Sequence, residues 1–298
     1  MSSVIQKCCL ACLIAPLLLL VAPRIHAAGS NWMSSAAGDL PLTRFSIPGT
    51  HDSGALYEPL SGTTKCQNLT LSEQLKAGVR FLDIRCRHVN NAFLIHHGLV
   101  YQKMNFDDVL NAAIGFLTNN PKETVIMSVK EEYDPKGNTR SFEATFDSYV
   151  AKSPEKWLLS SSIPTLEQAR GKIVLFRRFS AASTPKGIDL SVWPDDATFT
   201  NANVRVQDDY NVANTDSKWT AITNLLTEAQ AGDTDILYVS FASGVAKRHF
   251  LPNIPIVANA INLNLTRYFT LHTKGRYGVI LMDFADADKC ALIDRTAP

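Results

Sequence analysis

Short runs of apolar, mostly β-branched or aromatic residues punctuate the chain at 45–47, 79–85, 92–97, 124–130, 173–176, 204–208, 236–241 and 279–282. Their length and composition predict strands. Between them the apolar spacing changes to that of helices. Phe106, Val109, Leu110, Ala113 and Leu117 share one face of a predicted helix over 106–119. Further helices are expected at 72–76, capped by Ser72 and ended by Gly78, and at 140–150, 165–168, 216–231 and 254–269. The last is interrupted by Pro255, and Thr165 with Gln168 has capping-box spacing. A stretch rich in Pro, Asp and Asn, 184–203, reads as a loop.

Strand runs alternating with helices predict an α/β fold whose parallel sheet closes into a (β/α)8 barrel. A length of 298 residues, 46% of them hydrophobic, suits that fold, and no repeat or linker divides 28–298, which reads as a single domain. The join from Arg85 to Ala92 is too short for a helical crossover. Either the barrel lacks one helix or those two runs form a hairpin.

Residues 1–27 change the picture. Lys7 precedes an apolar run broken by Pro16, and a small-residue site follows at 25–27. This is the pattern of a secretory signal peptide rather than a spanning helix, and it predicts a secreted protein. Cleavage removes Cys8, Cys9 and Cys12 and leaves Cys66, Cys86 and Cys290. An odd count allows one bridge, Cys66 with Cys86; three free buried thiols is the equal alternative. No cysteine or histidine cluster has zinc-ligand spacing, so neither a metal nor a cofactor is expected. A net charge of +1 provides no basic field for nucleic acid. Asn68-Leu-Thr70 and Asn264-Leu-Thr266 are glycosylation sequons.

The candidate chemistry lies where apolar runs end. Pro48 and Gly49 terminate the first, and His51 and Asp52 follow in a turn. Side chains at i and i+2 of a strand face the same way, which pairs Asp83 with Arg85, Lys130 with Glu132 and Asp208 with Tyr210. Only one of His96 and His97, and one of Arg177 and Arg178, can point inward. Two histidines, an arginine and several carboxylates suit proton transfer on a phosphodiester. One imidazole deprotonates an attacking hydroxyl, the other protonates the leaving alkoxide, and a guanidinium holds the phosphate oxygens.

These stretches resemble the phosphatidylinositol-specific phospholipase C family in its secreted, metal-independent bacterial form. The likeness is carried by Ser-Ile-Pro-Gly-Thr-His-Asp-Ser-Gly at 46–54, Phe-Leu-Asp-Ile-Arg at 81–85, His-His-Gly at 96–98, the run at 120–130, Arg-Gly-Lys-Ile-Val-Leu at 170–175, Val-Gln-Asp at 206–208 and Asp283. The resemblance implies a distorted TIM-type barrel. It also implies a phosphorus–oxygen lyase that cleaves phosphatidylinositol by attack of the inositol 2-hydroxyl, giving diacylglycerol and inositol 1,2-cyclic phosphate.

By position, the resemblance makes His51 the general base, Asp283 its orienting carboxylate, His97 the general acid with Asp52 beside it, and Arg85 the phosphate clamp. That clamp stands where animal relatives bind calcium. Lys130, Arg178 and Asp208 would bind inositol hydroxyls, Tyr210 would stack under the sugar, and Asp83 and Glu132 would support them. The expected partner is a phosphatidylinositol or glycosyl-phosphatidylinositol headgroup at a membrane surface, met by a monomer.

The sequence departs from the family at Cys86, where the bacterial pattern has glycine, and in 56–71, which lacks a membrane-dipping tryptophan. The 247–251 segment, Lys-Arg-His-Phe-Leu, either takes over that contact or is a half-buried helix approach. Trp193 is expected to pack in the core or rim. A glycerophosphodiesterase would need acids in place of Arg85, and a non-catalytic lipid-binding domain would not need the His51, Arg85, His97 and Asp283 set.

Overall fold

In a computed structural model, residues 29–248, 250–296 and 298 are described; the expected signal peptide at 1–27 lies outside them. In chain order the elements are β1 (Ser46–Thr50), α1 (Leu71–Lys76), β2 (Phe81–Val89), β3 (Ala92–His97), β4 (Val100–Asn105), α2 (Phe106–Asn119), β5 (Val125–Glu131), α3 (Phe142–Val150), β6 (Trp157–Leu158), α4 (Leu166–Ala169) and β7 (Ile173–Arg178). There follow β8 (Ile188–Asp189), β9 (Ala197–Asn201), β10 (Val204–Asp208), α5 (Thr215–Ala231), β11 (Leu237–Phe241), β12 (Ala246–Arg248), β13 (Leu251–Asn253), α6 (Ile254–Leu271), β14 (Gly278–Met282) and α7 (Ala287–Asp294).

The main sheet runs β6-β7-β5-β2-β1-β14-β11-β10-β9. Every neighbouring pair from β6 to β10 is parallel, and β9 returns antiparallel to β10. This is a distorted TIM-type barrel. Among the described residues no ladder joins β9 to β6 or β8, so it stays open along that seam.

Alternation sorts the strand residues into two layers. Inward positions Ile47, Phe81, Ile126, Val174, Phe176, Val206, Val239 and Leu281 fill the barrel. Outward positions Leu82, Ile84, Met127, Leu175 and Ile280 pack under the helices. Within the barrel Phe81 and Phe176 meet edge to face at 5.4 Å. Each such fully buried side chain contributes ~1.5–3 kcal/mol.

The 92–97 run is not a barrel strand. It pairs antiparallel with β2, and β4 pairs antiparallel with it, which resolves the short join as a hairpin. The join without a helix is 179–203, between β7 and β10, and β9 forms inside the stretch expected to be loop. Thr70, not Ser72, caps α1 through reciprocal bonds with Glu73. In α6 Pro255 falls in the first turn, where no intrahelical N–H is needed, so the helix runs unbroken.

The N-terminal end of the barrel is sealed by a fully buried ion pair. Arg80 Nε donates to Glu123 Oε2 at 2.8 Å, and both side chains are inaccessible to solvent. The remaining guanidinium N–H groups donate to the carbonyls of Leu75, Val79 and Ser30, each at 2.8 Å. Removing one partner strands the other charge in the interior, which costs ~3–5 kcal/mol. Glu123→Ala is therefore expected to lower the urea unfolding midpoint by the equivalent of that amount, while kcat of the remaining folded protein is unchanged.

Candidate active site

Parallel register decides which strand ends meet. Arg85 of β2 is opposite Lys130 of β5, which is opposite Arg178 of β7, so these cations line up across one end of the barrel. On the other side of β2, Thr50 pairs with Met282. The next residue of each chain, His51 and Asp283, therefore leaves the sheet beside the other. The inward positions that are apolar lower in the barrel become charged at this C-terminal end, where barrels of this type carry their chemistry.

His51 is held from both sides. Its Nδ1 lies 2.8 Å from Asp283 Oδ1 and its Nε2 lies 2.9 Å from an Arg85 terminal nitrogen. A guanidinium can only donate, so Nε2 is the acceptor and the ring proton sits on Nδ1 toward Asp283. Burial works against the charged imidazole, but the Asp283 carboxylate outweighs it and raises its pKa above the usual histidine value. Gln67 locks the two strand ends together, its Nε2 donating to the carbonyls of both His51 and Met282 at 2.8 Å.

Behind His51 lies Asp83, fully buried. Its carboxylate accepts from Arg85 Nε at 3.2 Å and from the Asp52 N–H at 3.1 Å, with Arg178 at 3.7 Å. Burial opposes its charge, yet Arg85 and then Arg178 hold its pKa well below the usual range. Glu132 receives Lys130 Nζ at 2.8 Å and lies 3.4 Å from Arg85. Burial is outweighed there by Arg85 and Lys130, which draw its pKa down to about 2.

His97 faces the same cavity. Its Nδ1 bonds the Thr64 carbonyl at 2.7 Å and stands 3.9 Å from Asp52 Oδ2. Burial, and then the charge on Arg85, pushes its pKa down to about 4. Asp52 is fully buried with neither carboxyl oxygen hydrogen-bonded, and burial lifts its pKa to about 8 against the pull of Arg85. Both shifts favour an uncharged pair, a carboxylic acid beside a neutral imidazole. Asp52 also has φ +36°, a left-handed turn that its N–H bond to Asp83 secures.

The cavity, about 810 Å³, is lined by His51, Arg85, His97, Lys130, Glu132, Arg178, Asp208 and Tyr210, while the more deeply buried Asp52, Asp83 and Asp283 do not line it. Trp193, expected in core or rim, does pack against the barrel interior beside Phe199 and Phe241, and it also forms part of this wall. Its ring lies 3.6 Å from the Arg178 guanidinium, and its Nε1 donates to Asp208 at 2.9 Å. Arg178 keeps two N–H-bearing atoms, Nε and the terminal nitrogen that faces Asp83 at 3.7 Å, without a hydrogen-bond partner in this buried position. Tyr210 donates its hydroxyl to Asp195 at 2.9 Å.

His96 and Arg177 point away from the cavity. His96 packs beside Tyr101 and Tyr133, and Arg177 donates to the Lys186 and Phe179 carbonyls. Sequence reasoning missed Gln67 and Thr64, which sit in a loop where no periodicity marks a direction. The bridge between Cys66 and Cys86 does not form: all three described cysteines are free and buried. Cys66 packs with Ala55 and Ile254 near the cavity, whereas Cys86 lies in the layer under the helices.

Known proteins are similar to this chain in sequence and in fold. The family profile "Phosphatidylinositol-specific phospholipase C, X domain" matches residues 39–179. The 1-phosphatidylinositol phosphodiesterase of Staphylococcus aureus strain Newman is 34% identical over 275 residues, spanning 86% of this chain and 88% of its own. Its Listeria monocytogenes counterpart is 31% identical over 275 residues, spanning 86% and 81%. A crystal structure of the S. aureus phosphatidylinositol-specific phospholipase C superimposes with a TM-score of 0.82 at 33% identity, covering 90% of this chain and 97% of that one. The L. monocytogenes enzyme gives 0.76 at 25% identity, covering 89% and 98%. Identity sustained over most of both chains, on a shared barrel, means that this chain belongs to the phosphatidylinositol-specific phospholipase C family.

Proposed function

We propose that the protein cleaves phosphatidylinositol by intramolecular attack of the inositol 2-hydroxyl on the phosphorus, releasing diacylglycerol and inositol 1,2-cyclic phosphate. The observation that carries this reading is the placement of His51 between Asp283 and Arg85 at 2.8 and 2.9 Å, with His97 in the same cavity. The substrate phosphate draws the Arg85 guanidinium onto its own oxygens, which frees His51 Nε2 to take the 2-hydroxyl proton. Asp283 steadies the imidazolium that forms. Holding nucleophile and phosphorus within one molecule supplies the entropic advantage of an intramolecular reaction.

His97 returns a proton to the diacylglycerol oxygen. An anionic phosphodiester beside it favours the protonated imidazole, and Asp52, which holds the pair's proton in the free enzyme, is its donor neighbour. Lys130, Arg178, Asp208 and Tyr210 hold the inositol, with the Arg178 nitrogens that lack a hydrogen bond offered to its hydroxyls. Asp83 and Glu132 fix the cations.

Exposed apolar side chains line the cavity, as Leu99 does, or stand within three residues of a lining residue in the chain: Leu60, Val192, Phe250 and Leu251. Phe250, 99% exposed, belongs to the short connection between β12 and β13. We read this rim, with the exposed Lys247, as the face that rests on the lipid surface. Among the described residues no helix is long and apolar enough to cross a membrane. The reading is completed by a secretory leader at 1–27 and one catalytic domain over 28–298, acting as a monomer.

His51→Ala is expected to reduce kcat on phosphatidylinositol vesicles by ~10²–10⁴. The base must be unprotonated and its pKa is raised, so kcat/KM should fall as pH drops through a midpoint above 6.5. Asp283→Asn should move that midpoint down. His97→Ala should cost ~10²–10⁴ on the natural lipid but far less on an inositol phosphodiester whose leaving group needs no proton; equal losses on both would remove the general-acid role. Phe250→Asp should weaken vesicle binding in a sedimentation assay while hydrolysis of soluble inositol 1,2-cyclic phosphate is unchanged.

A further inference from the structure

The buried thiol of Cys66 has no part in the reaction above, yet it lies at the centre of the catalytic groups. Its Sγ is 3.9 Å from His97 Nδ1, and His97 Nδ1 is 3.9 Å from Asp52 Oδ2. The sulfur, that imidazole and the Asp52 carboxylate all fall within 4.8 Å of one another. We propose that Asp52, Cys66 and His97 bind a borderline-soft divalent cation, zinc above all, and that its binding switches the enzyme off.

An independent observation points to a ligand here. Asp52 is completely buried, and neither of its carboxyl oxygens has a hydrogen-bond partner; the Arg85 guanidinium stands off from Oδ2 at 3.9 Å, beyond hydrogen-bond reach. A buried polar group left in that state costs free energy that a coordinated cation would recover. The donor set of one sulfur, one imidazole nitrogen and one carboxylate oxygen suits zinc and disfavours calcium or magnesium, which take oxygen ligands. Tetrahedral zinc requires such atoms about 3.4–3.6 Å apart, so the two 3.9 Å separations must close by about 0.4 Å and the sulfur–carboxylate separation, within 4.8 Å, by up to about 1.3 Å. His97 and Thr64 line the cavity, which leaves the fourth position open to water. A second triad, His51, Cys66 and Asp283, shares the same sulfur. It is the poorer site because both ring nitrogens of His51 are already engaged, by Asp283 at 2.8 Å and by Arg85 at 2.9 Å, whereas His97 gives up one bond only.

Binding replaces protons by metal. Cys66 loses its thiol proton and forms an S–Zn bond, and Asp52 binds through its carboxylate, releasing the proton it carries. His97 gives up its bond to the Thr64 carbonyl, moves its proton to Nε2 and binds through Nδ1. The leaving alkoxide then faces a neutral, metal-bound imidazole with no acid behind it. The binding site stands on geometry alone, whereas its effect on turnover rests on the general-acid role given to His97.

The test uses the intact protein with zinc ion alone, measured by calorimetry and by turnover of phosphatidylinositol, and with cobalt ion by absorption spectroscopy. Expected are one zinc per chain, loss of turnover as that site fills, no effect of calcium or magnesium, and a sulfur-to-cobalt charge-transfer band. Cys66→Ser and Cys66→Ala should keep turnover, lose the band, and lose zinc affinity by more than the ~10–100-fold typical of an outer-shell partner. His97→Ala should lose zinc binding by calorimetry whatever its activity. Zinc inhibition unchanged in the Cys66 variants, or no sulfur band in the native protein, overturns the site; the band decides alone if neither variant folds. Zinc bound through Cys66 with turnover intact would overturn the switch and the role of His97 while leaving the ligand set standing.

Discussion

One buried negative charge organises the catalytic end of the barrel. Asp83 has no access to solvent, and it is kept ionised by Arg85 and Arg178. Without that carboxylate, two guanidinium groups would share a dry pocket with nothing to separate or orient them, a costly arrangement in a low dielectric. With it, Arg85 is aimed so that a terminal nitrogen meets His51, and the same carboxylate accepts the Asp52 N–H that bends the loop after β1. The proposed base, clamp and proton store are positioned by a residue that need not touch a substrate.

The same alternation that builds the hydrophobic interior also builds the site. Phe81, Asp83 and Arg85 are successive inward positions of one strand, as are Ile126, Ser128 and Lys130 of the next. Apolar packing below holds the strands at fixed separation, and parallel pairing then delivers the charged tips in a common layer. Burial cuts both ways here. It strengthens each ion pair, and it also pushes Asp52 toward its protonated form and His97 toward its neutral one.

Much of this was legible in the sequence because strands have a strict period. The 204–208 strand and the 106–119 helix have the expected bounds, and every residue picked at a strand end by its i, i+2 partner lies at one end of the barrel. What failed to register has a common cause. The 92–97 run looks like any other strand, and only the short join to β2 shows that its direction reverses. α7 (Ala-Asp-Lys-Cys-Ala-Leu-Ile-Asp) is too short and too mixed to show a helical face. Gln67, Cys66 and Trp193 lie outside regular elements, and their positions are set by tertiary contacts that no spacing encodes.

The open seam between β8 and β9 separates two tasks within one molecule. The proposed base, acid and clamp rest on strands paired on both sides, whereas Ser191, Trp193 and Asp195 hang on a helix-free span anchored to the interior through Ile188, Leu190 and Phe199. Insertions or exchanges in that span would alter which sugar headgroup fits without disturbing the machinery that breaks the ester. The gap in the cylinder is thus where new substrate preferences are most cheaply acquired.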